Sequence, residues 1–193
     1  MSLKFVGDPD GYSPGHEYEL MLQSMKKLYH IFPKMKVCKS NHTWRPLKKA
    51  FTAGIPKAFL RNVKDFMEAP KGWEWAEQWI AGKTLVIHGE GYSSSNWWLA
   101  HNKFRQSVIL GHVHAKAGVM FSSAGYGQNL SRVFTLNVGC AINTEAYAAA
   151  YGKTIVEKPV LGCGVTLDDR EAFFIPMPNQ NGVVNKIAKG LVR

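Results

Sequence analysis

Three short apolar runs each give way to a metal-capable side chain, and this feature restricts the fold more than any other. MKVC (35–38) leads to Asn41-His42, TLVI (84–87) to His88-Gly89, and VIL (108–110) to Gly111-His112-Val113-His114. Apolar runs this short, bounded by turn formers, suit buried strands, since helices need roughly 10 residues or more. Helical spacing fills the stretches between them, so strands alternate with helices and the chain reads as α/β. In such sheets ligands gather beyond the carboxyl ends of strands, where strands fix positions and loops stay open. Four of the seven histidines lie at these ends. The three ends are expected to meet at one edge of a sheet.

The rest of the chain fills in around these runs. Tyr18, Met21, Met25, Leu28, Tyr29 and Phe32 recur at helical spacing behind Ser13-Pro14, a cap and a first-turn residue, and Pro33 stops the helix. KSNHTWRP (39–46) reads as a loop. Helical stretches follow at 47–53 and 56–67, separated by Gly54 and ending before Pro70. SNWWLAHNKFRQ (95–106) is a further helix, capped near Ser95 or Asn96. RVFTLNVGC (132–140), PVLGCGVTL (159–167) and EAFFIPMP (171–178) supply β structure, the last two joined through Asp168, Asp169 and Arg170. With no tandem repeat and no linker composition, the expectation is one domain over 1–193.

A formal charge of +10 favours polyanionic partners, nucleic acid among them. Three cysteines with no C-x-x-C spacing suggest neither a disulfide framework nor a zinc finger, which fits a reducing, cytoplasmic compartment. No apolar run approaches the ~20 residues that span a bilayer, so no membrane is expected.

Imidazole, amide and carboxylate groups are ligands for zinc, manganese and iron, and glycine beside a ligand lets the backbone approach the ion. The ordered set SNHTWR (40–45), VIHG (86–89) and ILGHVH (109–114) resembles the calcineurin-like metallophosphoesterases, whose later motifs run Asn-His, His-Gly and Gly-His-x-His in this order. A terminal segment similar to LNVGC followed by a β-hairpin is also common there. The resemblance runs from about Lys36 onward. It implies a metallophosphoesterase-type β-sandwich flanked by helices. It makes Asn41, His88 and His112 ligands of one divalent ion, His114 a ligand of its neighbour, and His42 the acid that assists the leaving group. Two such ions, roughly 3.5–4 Å apart, hold a phosphate ester, activate a bridging water and stabilise both reacting oxygens.

The chain departs from the family pattern in its first half. No Asp-x-His precedes Asn41, so the first ion loses two ligands, and the domain is expected to lack its N-terminal strand or strands. Gly7-Asp8 offers the family's Gly-Asp, with Asp8 bridging both ions; the alternative places DPDGYSPG in a loop downstream of the true pair. Thr43 stands where an acid usually orients the histidine, and Ser40 where a glycine precedes the pair. Arg45 is a candidate phosphate ligand, with a solvated surface arginine as the alternative.

The function expected is metal-dependent hydrolysis of a phosphate ester, with a phosphodiester slightly preferred on charge and nucleic acid one setting for it. Manganese, iron or zinc is the expected metal, one or two ions per chain. The alternatives are a catalytically incomplete relative that binds nucleic acid or a partner, and one half of a split enzyme whose partner polypeptide carries the missing motif. His16, His30 and His101 match no motif and are expected at surfaces or helix ends. The tryptophans at 73, 75, 79, 97 and 98 are expected in cores more than under nucleobases.

Overall fold

A computed structural model describes residues 13–123, 125–127, 131–142 and 156–178. Asp8 and its Gly7 neighbour lie outside the described residues. The chain divides into two compact units, Met1–Trp79 and Ile80–Arg193.

In the first unit, α1 (Pro14–Ile31) begins where Ser13 accepts a hydrogen bond from the His16 N–H and ends two residues before Pro33. Its apolar side carries Tyr18 and Tyr29, whose hydroxyls donate to the carbonyls of Phe66 and Met67, each at 2.7 Å. β1 (Met35–Cys38) pairs in parallel with β2 (Trp73–Ala76), Val37 opposite Trp75. Trp73 is 2% exposed, meets Tyr29 edge-on and donates its indole N–H to Phe32 O. It is the core residue its pattern predicts.

Between these strands run α2 (Asn41–Thr52), a 3-10 turn at Lys57–Phe59 and α3 (Val63–Phe66). The expected helix over 56–67 is thus two short pieces. Asn62 separates them, its side chain accepting from Asp65 N–H to start α3 afresh. The loop expected at 39–46 is also corrected: Ser40 caps a helix that already contains Asn41 and His42.

The second unit is built on a five-stranded sheet of order β3-β4-β5-β7-β6. Its strands are β3 (Gln78–Ala81), β4 (Thr84–Ile87), β5 (Val108–Leu110), β6 (Gly118–Ser123) and β7 (Arg132–Asn137). β4, β5 and β7 run parallel, and β6 runs antiparallel to β7. Side chains alternate across β5 with period two. Val108 and Leu110 pack with Leu85, Trp97, Ala100 and Val113, so one face of the sheet is covered by the 3-10 turn Trp97–Leu99 and α4 (Ala100–Phe104). Ile109 faces the other way, toward Phe134, Leu136, Ala172 and Phe174.

That second cluster is closed by a hairpin, β8 (Gly162–Leu167) and β9 (Glu171–Pro176). Its turn is the predicted Asp168-Asp169-Arg170, with both aspartates at positive φ. Small residues let it sit close, for a Cβ added at Gly164 would stand 2.6 Å from Val138 Cγ1. Among the described residues the architecture is mixed α/β, with four α-helices, one five-stranded sheet and two small sheets. β1 belongs to one of the small sheets, so two of the three expected strand ends, those of β4 and β5, share a sheet edge.

Candidate metal centre

β4 and β5 lie in parallel register with Ile87 opposite Leu110, so both strands end level. His88 and Gly111 therefore face one another, and the Gly111 N–H donates to His88 O at 3.1 Å. Gly89 turns the chain away at φ +96°, and an added Cβ would meet Gly111 O and Leu110 Cβ at 3.2 Å each, so the position needs glycine for two reasons.

One residue further on, the chain makes an unusual bend. The Val113 N–H donates to Gly111 O at 2.7 Å across a single residue, His112, which is held at φ +65°. This is a γ-turn of positive φ, the rare and strained form, and for a side-chain-bearing residue it costs on the order of 1–3 kcal/mol. The bend carries the imidazole back over the end of β4. His112 Nδ1 comes to lie 3.0 Å from His88 Nε2, with ring centroids 4.9 Å apart and planes at 75°.

His114, on the same loop, is half-buried. Burial first, and the neighbouring His112 second, hold its pKa below the ordinary histidine range, which favours the neutral imidazole that ligates metals. Its carbonyl accepts the Val160 N–H at 2.8 Å, and Val160 O in turn accepts the Cys140 N–H at 3.0 Å.

A residue that sequence reasoning passed over holds this loop. Asn137, fully buried at the end of β7, donates through Nδ2 to Val113 O and Lys116 O, at 3.2 and 2.8 Å. Its Oδ1 accepts the Gly139 N–H at 3.1 Å, so both ends of the amide are engaged. The available signal was its place in LNVGC, directly after an apolar run on the strand beside β5. Across the rim, Glu157 accepts from the Ser94 hydroxyl at 2.5 Å and pairs with Lys116 at 3.5 Å.

Asn41, His42 and Arg45 belong to the first unit, in the opening turns of α2. The Ser40 hydroxyl oxygen accepts the Thr43 N–H at 3.1 Å and lies 3.0 Å from Thr43 Oγ1, so Ser40 and Thr43 build the helix start together. His42 is exposed, while Asn41 and Arg45 are half-buried. Comparison with protein-family models, characterised proteins and solved structures finds no match.

The donor set can be tested against a metal. Two imidazole nitrogens bound to one ion at 2.0–2.1 Å, subtending 90–110°, stand roughly 2.9–3.4 Å apart. The His88–His112 separation of 3.0 Å fits that spacing. Among the described residues, no three His, Cys, Asp or Glu side chains form a metal-holding group. The fit is that of a two-imidazole pair with His114 beside it.

Of the two expected placements for His101, a surface or a helix end, the second holds, at the start of α4, but the residue is buried. It is 3% exposed, with its N–H donating to Thr135 Oγ1 at 3.0 Å and its Nδ1 2.9 Å from the same hydroxyl. Burial lowers its pKa, opposed by a hydrogen bond to the Trp98 backbone. None of Cys38, Cys140 and Cys163 forms a disulfide among the described residues. No helix among the described residues is long and apolar enough to cross a membrane.

Proposed function

We propose that this chain is a divalent-metal-dependent phosphoesterase of the calcineurin-like type, acting by preference on a phosphodiester. The observation that carries the reading is His112, a candidate ligand held in a strained γ-turn with its Nδ1 3.0 Å from His88 Nε2. Backbone strain of this kind collects where a side chain must be aimed, and here it aims His112 into a hydrogen bond with His88.

His88 and His112 would hold one ion and His114 would serve a second; Asn41 and Asp8 are the further ligands that the family resemblance implies. Manganese, iron or zinc suits these nitrogen and oxygen donors. Bound ions supply Lewis acidity toward the phosphoryl oxygens and a water nucleophile at neutral pH. The chain's own part is to position and to transfer protons. His42, exposed at the start of α2, gives its proton to the leaving oxygen. Arg45, three residues on and so on the same side of the helix, pairs with the phosphate. Asn137 fixes the carbonyls of the 112–116 loop and keeps the imidazole of His112 aimed.

The test is turnover of bis-p-nitrophenyl phosphate by purified protein with manganese. Turnover that disappears in His42→Ala while metal binding persists supports the enzyme. One bound metal equivalent without turnover points to a binding module. Turnover that appears only with an added polypeptide bearing Asp-x-His points to a split enzyme.

A further inference from the structure

A groove of about 540 Å³ opens in the first unit, lined entirely by residues between Lys39 and Trp79. Trp44, on the apolar side of α2, forms part of its wall, and Trp75 and Trp79 form another part. Four cations, Lys39, Lys57, Arg61 and Lys64, share the lining with one carboxylate, Glu74.

The tryptophans here are not equivalent. Trp73 and Trp79 spend their indole N–H groups on the carbonyls of Phe32 and Val37, at 2.7 and 3.0 Å. Those of Trp44 and Trp75 have no hydrogen-bond partner among the described residues, and both side chains are half-exposed. Lysines stand against the aromatic faces: Lys39 Nζ lies 5.2 Å from the Trp44 ring centroid, and Lys36 Nζ 4.8 Å from that of Trp79. Lys57 and Arg61 are exposed and have no ion pair among the described residues.

At Trp44 a flat apolar surface and a spare donor lie about 5 Å from Lys39, itself paired with Glu77 at 3.2 Å, and Lys57 and Arg61 on the same lining add cations, so the groove offers partners for the base, base edge and phosphate of a nucleotide. We propose that this groove binds single-stranded nucleic acid, with a base against Trp44 or Trp75 and the backbone along Lys57 and Arg61. The charge balance of the lining opposes a basic or neutral occupant. The aromatic faces of Trp44 and Trp75 distinguish a base from an acidic peptide, whose carboxylates would use the cations and donors but not a stacking surface. The site is separate from the His88–His112 pair and does not depend on the phosphoesterase reading.

Binding is measured by fluorescence anisotropy of a labelled oligothymidylate of about ten nucleotides, with EDTA present so that the metal centre plays no part. The expected results are tight binding to the oligonucleotide and at least about tenfold weaker binding to an abasic strand of equal length. Lys57→Glu combined with Arg61→Glu should weaken binding and reduce the slope of log K against log salt by about 1.4, the contribution of two cations on a single strand. Both side chains are exposed, so the double variant should fold, which circular dichroism verifies. Trp44→Phe should keep most of the affinity and Trp44→Ala should lose about tenfold. Equal affinity for the abasic strand would overturn the proposal, as would an unchanged salt slope in the double variant. Displacement by polyglutamate as effective as by oligothymidylate would overturn it in favour of an acidic peptide.

Discussion

His112 sits at φ +65°, a backbone region that glycine enters freely and histidine does not. Replacing it with glycine removes the imidazole and the strain together. His112→Gly should therefore leave folding stability unchanged or raise it by about 1 kcal/mol, while metal affinity falls at least about tenfold. Chemical denaturation and metal titration of the same samples read the two effects separately. Asn137 behaves in the opposite way. Asn137→Asp keeps the shape but removes the donors to Val113 O and Lys116 O, and sets a carboxylate beside those carbonyls. A loss of about 3 kcal/mol in urea unfolding is expected. The Tyr92 hydroxyl is buried without a hydrogen-bond partner among the described residues, so Tyr92→Phe should be neutral or stabilising by up to about 1 kcal/mol. His101 gives the pH dependence. Its pKa is lowered in the folded state, so below pH 6.5 the unfolded chain binds a proton that the native state resists. Its contribution is fully present above about 6.5 and is lost as pH falls toward the lower folded value. Urea midpoints measured from pH 7.5 down to 5 should drop, and His101→Gln should flatten that drop.

Among the elements, the hairpin of β8 and β9 tests how the second unit closes. Gly162 and Gly164 both face the interior, yet their surroundings differ. A Cβ at Gly162 would meet Ile175 O at 2.5 Å, rigid backbone, whereas at Gly164 the near atoms belong to the side chains of Val138 and Leu136. Gly162→Ala should thus cost more than Gly164→Ala, the first about 3 kcal/mol and the second about 1 to 2, as compared by thermal unfolding. The ends of β4 and β5 were legible because TLVI and VIL are unbroken apolar runs cut off by His88 and Gly111. β3 and β6 were not. Their sequences, QWIA and GVMFSS, leave most side chains exposed, and neighbours rather than periodicity place them in the sheet. The start of α2 was hidden by Pro46, which suggests a break where the Ser40 cap in fact begins a helix. The burial of His101 at the start of α4 was hidden for a related reason, since only the partner strand, through Thr135, makes a buried imidazole acceptable.

At the scale of the whole molecule, two of the strand-end histidines meet: His88 and His112 are 24 positions apart and their nitrogens lie within hydrogen-bond distance. Of the other proposed members, His114 shares the second unit with that pair, whereas Asn41, His42 and Arg45 lie in the first unit, on helix α2 rather than a loop. A ligand that binds only the native state stabilises it by about 2.7 kcal/mol at one hundred times its Kd. Manganese or zinc should accordingly raise the unfolding temperature of the wild-type chain and leave that of His88→Ala unmoved. The most direct test is an anomalous difference map from crystals of the protein soaked with manganese or zinc. The account requires a peak within coordination distance of both His88 Nε2 and His112 Nδ1, about 2.0–2.3 Å from each. An ordered His88–His112 pair with no peak between its nitrogens, at saturating metal, would contradict it.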